Sequence, residues 1–534
     1  MSRFLAFCDR HPVLTISLLV ACQQVLTLWS RDLWWSDEVR QADVLRNLLD
    51  GHWIALRLND FPYPDKPPLY FWLQGAVATI LGSTEPHAIL IGLALTVAFF
   101  MLSAYAMARL MDFPPSTGLV AVAIMGTANY LLFLSHYARM DFLFVGFIAL
   151  AWGCFWRASQ DSRWRWMILG FTTASVATMV KGPFGFLLPL GALIAFLVWK
   201  REPRRLLSAD VVLGLVILMA TVLAWIGGIA LAEGFDYVRF IFSDQIVSRG
   251  VRNATNPFNY LLYLLLLPAV FMPWTTGLAT LLLRQRGARP PSDPRDAFLW
   301  CTGISGLVIL SLVGEKHDYY LLPLFVPLAL IAAGALLRAS GRDRASSWKA
   351  MAATLAIAGL LLPLIPSFLP YAISMPGVLA CAALLLAAAV AIFVLRHKPV
   401  HAPLGALVVI QMLWVNVLAI AVMPSLDPVM SPRAIAEAVR PYVERGYAPA
   451  AWDMTGGDFA YHLRQPYAER FADRQALADW LADRPAAVLA TPVAAWDRLD
   501  LEAMGLREAA RVGMAGDIIV IGLHGMAGEL PRAP

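Results

Sequence analysis

Thirteen apolar runs of near-membrane length, separated by short basic clusters, constrain this chain more than anything else in it. A helix needs about 20 mostly apolar residues to cross hydrocarbon. Runs that reach or approach that length lie at about 12–29, 88–108, 117–135, 140–157, 164–180, 182–199, 209–231, 258–283, 298–314, 318–338, 349–369, 374–396 and 402–423. A shorter, aromatic-rich run lies at about 68–82. Of the 534 residues 59% are hydrophobic and only 15% charged, against roughly 25% charged in a soluble domain. Ordinary domain cores cannot hide that much apolar surface. Lipid is the solvent for much of this chain.

The net charge is +5, yet Arg and Lys sit in short clusters between apolar runs, the pattern of cytoplasmic loops under the positive-inside rule. No phosphate-tracking groove accompanies them, which sets nucleic acid aside as a partner. With the N-terminus inside, the loops containing Arg157/Arg163/Arg165, Lys200/Arg201/Arg204/Arg205, Arg284/Arg286/Arg289 and Arg338/Arg342/Arg344 all fall inside. They do so only if the 68–82 run does not cross. It is short, opens on Pro67-Pro68, and reads as a helix lying along or dipping into the outer interface. About 13 spans, an internal N-terminus and an external C-terminus follow.

Outside lie a long first loop (30–87), a second at 232–257, a short turn at Gly314–Tyr319, and a tail whose composition changes near Pro424. Charge returns there, and apolar stretches shrink to strand length at Ala486–Leu489 and Ile518–Ile521, with amphipathic helical patterns at about 432–445 and 474–482. The expected division is a transmembrane catalytic unit over 1–424 and a small α/β domain over 425–534. Cys8, Cys22, Cys154, Cys301 and Cys381 all avoid the outer loops, so neither a structural disulfide nor a cysteine zinc site is expected. Leu19-Val20-Ala21-Cys22 resembles a lipoprotein signal. Apolar residues continue past Cys22, which favours a first spanning helix to about Trp29.

Chemistry-bearing residues collect at the outer ends of the helices. Ser36 can cap a helix whose first turn carries Asp37 and Glu38, an acidic pair favourable beside the positive helix end. Trp34 and Trp35 read as interface anchors. Alternatively, Asp37 points into a cavity and acts as general base, or stabilises positive charge at a sugar anomeric carbon. Lys66, in Tyr63-Pro64-Asp65-Lys66-Pro67-Pro68, suits a phosphate as a compact point charge; the bland alternative is a snorkelling lysine. Asp141, at the outer end of a span, needs a polar cavity or a partner, and Arg139 is the obvious one. His136 reads as interface filler. Lys181, in a tight outer turn with Gly182 and Pro183, is expected to meet an anion, either a carrier phosphate or an acidic residue. Glu315 to Tyr320 forms another charged turn, and Arg239, Arg249 and Arg252 add cations in the 232–257 loop. Cations beside two carboxylates suit an anionic, lipid-linked substrate. A divalent metal is conceivable from Asp, Glu and His, but no His-Glu-x-x-His spacing supports one.

The stretch WWSDEVRQADVLRNLLDGHWIALRLNDFPYPDKPPLYFW resembles the first periplasmic loop of bacterial GT-C glycosyltransferases, most closely the aminoarabinose lipid A transferase branch related to protein O-mannosyltransferases. ARMD, KGPFGFLLP and KHDYYLLPLFVPLAL match later landmarks of that group in order. The resemblance implies a polytopic α-helical GT-C fold in a bacterial inner membrane, with juxtamembrane helices in the first periplasmic loop and a small periplasmic C-terminal domain. It implies a polyprenyl-phosphate-linked sugar donor and a lipid A, glycan or protein acceptor. By position, Asp37 corresponds to the family's loop-one aspartate and Asp141 to its second functional aspartate. Lys66, Arg249 and Tyr320 correspond to groups at the carrier phosphate, and Arg40 to the arginine after the acidic pair. Asp65 stands where the aminoarabinose transferases have Glu, and Gln245 roughly where they have His. Those family residues hold zinc, so none is expected here, and aminoarabinose is less strongly implied as the sugar. The resulting expectation is inverting transfer. A lipid-linked-sugar flippase is the rival from another class, disfavoured because the charges crowd at helix ends and the two halves are unalike.

Overall fold

The computed structural model describes residues 7–161, 164–241, 258–284 and 293–525. Among these residues, those up to Met430 form helices and one short hairpin, and beyond Met430 strands appear. Among the described residues, eight helices are long and apolar enough to cross a membrane: Pro86–Leu110, Asp141–Gln160, Ala209–Glu233, Pro294–Leu312, Asp318–Arg338, Gly341–Phe368, Met375–Leu395 and His401–Met430. Shorter apolar helices cover Pro12–Gln24, Leu69–Leu81, Pro115–Met125 and Phe184–Trp199, and Trp164–Lys181 is a helix of more mixed composition.

Two of the expected spans are not straight. The 258–283 run is a pair, Tyr260–Val270 and Trp274–Arg284, bent by 97° and raising the count to nine if taken as one span. Pro273 stands at the break and has no amide to continue the helical ladder. The 117–135 run divides into Pro115–Met125 and Asn129–Leu134. Between them Thr127 donates its hydroxyl to the Ala123 carbonyl (2.7 Å) and accepts from the Trp274 indole (3.0 Å).

Burial separates inner from outer helices. Pro86–Leu110, Asp141–Gln160 and Asp318–Arg338 are mostly buried, whereas Ala209–Glu233 leaves Val212, Leu213, Val216, Met219 and Leu223 exposed. A helix so apolar and so bare has lipid for its partner. Leu69–Leu81 has 13 residues, about 20 Å at 1.5 Å per residue, well short of a hydrocarbon core about 30 Å thick. It ends at Gly82, whose φ of +60° supplies the left-handed cap that glycine adopts without strain.

After Met430 a four-stranded sheet runs in the order Ala448–Ala451, Ala486–Pro492, Asp517–Gly525, Arg507–Met514; the first pair is parallel, the others antiparallel. Residues alternate between its faces as the pleat demands. Val488, Ala490, Ile519 and Ile521 pack with Ile435 and Val439 on one side; Leu489 and Val520 pack with Leu477 and Trp496 on the other. The compositional change at Pro424 precedes the structural one, because the helix there continues to Met430.

Candidate active site

The site is built on helix Asp37–Leu49, the segment before Asp141, the turn after Lys181, and the turn before helix Leu322–Arg338. Ser36 makes no side-chain capping bond to its helix, contrary to the expectation for it. The acidic pair is held by tertiary contacts instead. Glu38 is fully buried and bidentate with Arg31, both contacts at 2.6 Å. Its carboxylate also accepts the Trp34 amide (2.8 Å) and the Ala138 amide. Arg31 donates in turn to the His136 carbonyl. One buried ion pair therefore fastens the start of the helix to residues 136–138. His136 is not at an interface: it is 1% exposed, its ring nitrogens hydrogen-bonded to the Leu132 and Gln23 carbonyls at 2.7 and 2.9 Å.

That clamp places Asp37 against Arg139. The Arg139 guanidinium reaches Asp37 through Nη1 and Asp141 through Nε, the latter at 3.0 Å, and its centre lies 3.4 Å from the Tyr319 ring centroid. Asp141 accepts from Lys181 on its other oxygen. Lys181 Nζ lies 4.7 Å from the Tyr320 ring and 4.9 Å from that of Tyr319, distances at which a cation is drawn to an aromatic face. An unbroken chain of charges thus runs Asp37–Arg139–Asp141–Lys181, floored by two tyrosines. Its members differ in access: the side chain of Asp37 is 33% exposed, that of Asp141 3%. Burial alone would raise the Asp37 carboxyl; Arg139, helped by Arg40 and Lys66, outweighs it and holds Asp37 below the usual carboxylate range.

The rest of loop one completes the rim. Arg40, one turn after Asp37, lies 3.9 Å from Asp65 and 5.8 Å over the Tyr63 ring, and Lys66 is near enough to act on Asp37 electrostatically. The structure thus brings together Asp37, Arg40, Tyr63, Asp65, Lys66, Asp141, Lys181 and Tyr320. Lys181 has met an anion, and that anion is Asp141. Arg249 and Gln245 lie outside the described residues, as does Arg252. Among the described residues no group of three or more His, Cys, Asp or Glu side chains is placed to hold a metal ion.

Sequence reading named Arg139 only as a partner of Asp141, where the structure makes it the hinge between Asp37 and Asp141, and it missed two further groups near the site. Arg31 was unremarked because its partner is set by tertiary contact. Asp458, from the C-terminal segment, carried no local signal at all. It is 1% exposed, and burial, opposed by Trp35 and Arg40, pushes its carboxyl up to about 8. Further out, Asp32 accepts from Arg433 Nε (2.7 Å) and the Ser431 hydroxyl (2.8 Å) and faces His462 at 3.2 Å. These contacts join loop one to the C-terminal segment.

Comparison with known proteins bears on the fold and the sequence rather than on this geometry. Residues 65–226 match the family model described as dolichyl-phosphate-mannose-protein mannosyltransferase. The undecaprenyl phosphate-alpha-4-amino-4-deoxy-L-arabinose arabinosyl transferase of Erwinia tasmaniensis is 27% identical over 60% of this chain and 58% of its own length. Its counterpart in Edwardsiella ictaluri is 28% identical over 62% and 60%. The match thus spans less than two thirds of the curated relatives. The crystal structure of ArnT from Cupriavidus metallidurans in the apo state superposes with a TM-score of 0.80 at 19% identity, covering 97% of this chain and 98% of that one. ArnT bound to undecaprenyl phosphate gives 0.77 at 19%, covering 96% and 97%. The fold is therefore that of the solved ArnT structures. The sequence matches within that fold are to aminoarabinose transferases and to a protein mannosyltransferase family model.

Proposed function

We propose that this protein is a glycosyltransferase moving a sugar from a polyprenyl-phosphate-linked donor to an acceptor at the periplasmic face of a bacterial inner membrane, with inversion at the anomeric carbon. The observation that carries the reading is the Asp37–Arg139–Asp141–Lys181 chain with Lys66 and Arg40 on its rim. It sets two carboxylates among cations at one end of the helix bundle. In this reading the chain crosses about 13 times, and the ends of its helices near Asp37 face outward.

The carrier phosphate is held by Lys66 and Arg249, with Tyr320 beside it. An acceptor oxygen attacks the anomeric carbon as the bond from that carbon to the phosphate oxygen breaks. The electron pair leaves with the carrier phosphate, which the cations stabilise, and the acceptor proton passes to a carboxylate. Asp37 suits that last role better than Asp141. It is partly exposed and paired with Arg139, whereas Asp141 is buried between two cations. Asp141 is better placed to hold Arg139 and Lys181. Asp37→Asn, assayed in purified membranes with carrier-linked sugar, is expected to lose about a hundredfold or more in rate, the usual share of a general base. Near-full activity would remove Asp37 from that role and point to an acceptor, such as a lipid A phosphate, that needs no base.

Lipid A is the first reading for the acceptor, on the resemblance of loop one to the aminoarabinose lipid A transferases; the arabinosyl transferase relatives, by name, support an undecaprenyl-phosphate-linked donor. The match to the mannosyltransferase model favours a protein acceptor as the second reading. Mass spectrometry of lipid A, glycans and proteins from cells with and without the gene separates them, since one class gains the mass of a single sugar.

A further inference from the structure

Loop one reaches the site through a hairpin. Arg57–Leu58 pairs with Phe61–Pro62, closed by Asn59 and Asp60, both left-handed at φ +51° and +63°. Two such residues make the tight turn that matches strand twist, and Asn is the side-chain-bearing residue most at ease there. A hairpin tip is ordinarily exposed and polar. This one is not: Asn59 is 0% exposed. Its side-chain amide donates to the Tyr467 carbonyl (2.9 Å), and its side-chain oxygen accepts the Tyr467 amide (2.9 Å), so it pairs with the C-terminal segment as one strand pairs with another. Its own amide donates to Asp43 on the Asp37 helix (2.7 Å). Next to it, Gly457 (φ +75°) packs so closely on Leu58 that an added Cβ would lie 2.5 Å from that side chain. The hairpin leads straight into Tyr63, whose amide is bonded back to Leu56 (2.8 Å), and then into Asp65 and Lys66.

We infer that Asn59 is a positioning residue for the carrier-phosphate group Lys66: the C-terminal segment, through Tyr467, holds the hairpin that sets where residues 63–66 stand. This rests on the proposed function, because it assigns Lys66 to a phosphate. Three hydrogen bonds anchor the buried Asn59, two at its side-chain amide and one at its backbone amide, and none of them is to the Asp37–Arg139–Asp141–Lys181 chain.

The test is binding of undecaprenyl phosphate to the full-length protein in detergent or vesicles, which needs no knowledge of the sugar or the acceptor. Asn59→Gly keeps the left-handed turn and removes only the side-chain bonds. It is expected to weaken binding about tenfold, while Asn59→Gly in a Lys66→Ala background adds little to the loss from Lys66→Ala alone. A purely structural role lowers thermal stability but leaves the two substitutions additive in binding, which overturns the inference. Unchanged binding in Asn59→Gly overturns it too. Should the glycine variant not fold, Asn59→Asp, which keeps shape and acceptor but loses the donor to Tyr467, carries the same comparison. If the unaltered protein fails to bind undecaprenyl phosphate, or Lys66→Ala binds as well as it does, the functional reading has failed first.

Discussion

At the scale of residues, the charges here are spent on each other. Removing Arg31 would strand Glu38 as a buried, uncompensated carboxylate, and removing Glu38 would strand Arg31; breaking such a pair from one side is costly where replacing both is not. Asp458 is the opposite case, a carboxyl kept neutral by burial. Its proton leaves near pH 8 in the folded protein but near the ordinary carboxylate value when unfolded. Between those points the folded state holds one more proton, so stability falls as pH rises from about 4 to about 8. Asp458→Asn is expected to flatten that decline and to unfold at a higher temperature than the parent at pH 8. Melting curves of the two proteins across that range decide it; parallel curves would place the ionisation elsewhere. Asp37 runs the other way, since its lowered value favours the folded, ionised form above the carboxylate range and loses that support on acidification.

At the scale of elements, the turn Lys181-Gly182-Pro183 fixes one pole of the site. Gly182 has φ +81°, and Gly185 lies so close to the preceding helix that a Cβ would sit 2.2 Å from the Thr178 amide nitrogen. That obstacle is backbone and cannot swing aside. Gly185→Ala is therefore expected to part the two helices, pull Lys181 from Asp141, and cost about 1–3 kcal/mol of stability, as overpacking commonly does. A melting temperature within error of the parent would show that the helices yield without penalty. Elements also mark how far the sequence was legible. Apolar length located the long helices that carry Asp141, Lys181 and Tyr320, the acidic pair marked the helix that opens on Asp37, and charged residues at helix ends named most of the site's members. Where the 258–283 run bends was hidden because composition is blind to direction. That Arg139 reaches Asp37 and that Asn59 is buried were hidden because each depends on a partner far away in the chain, 102 residues for Asp37 and 408 for Tyr467. That Glu38 belongs to Arg31 was hidden because the turn bringing these two together, seven residues apart, carries no periodic signal. Ser36 makes no cap; the acidic pair after it is held instead by Arg139 and Arg31.

At the scale of the whole molecule, orientation is the property most open to test. In a cysteine-free background, Asp60→Cys and Asp500→Cys are expected to react with an impermeant thiol reagent added outside intact spheroplasts, and Arg201→Cys only after the membrane is opened; the reverse pattern would invert the topology and end the proposal. The seam between loop one and the C-terminal segment carries a further consequence, for the order in which the protein is made. Trp35 donates its amide to Met430, and Asn59 waits for Tyr467. Loop one leaves the ribosome early, hundreds of residues ahead of the partners that give it shape, and chains are completed from the N-terminus onward. The stretch that leads to Lys66 therefore stays unfinished until the segment after Met430 has been made. On the proposed function, a chain stopped after Met430 should enter the membrane and still bind no undecaprenyl phosphate, so lipid engagement would wait for the C-terminal segment.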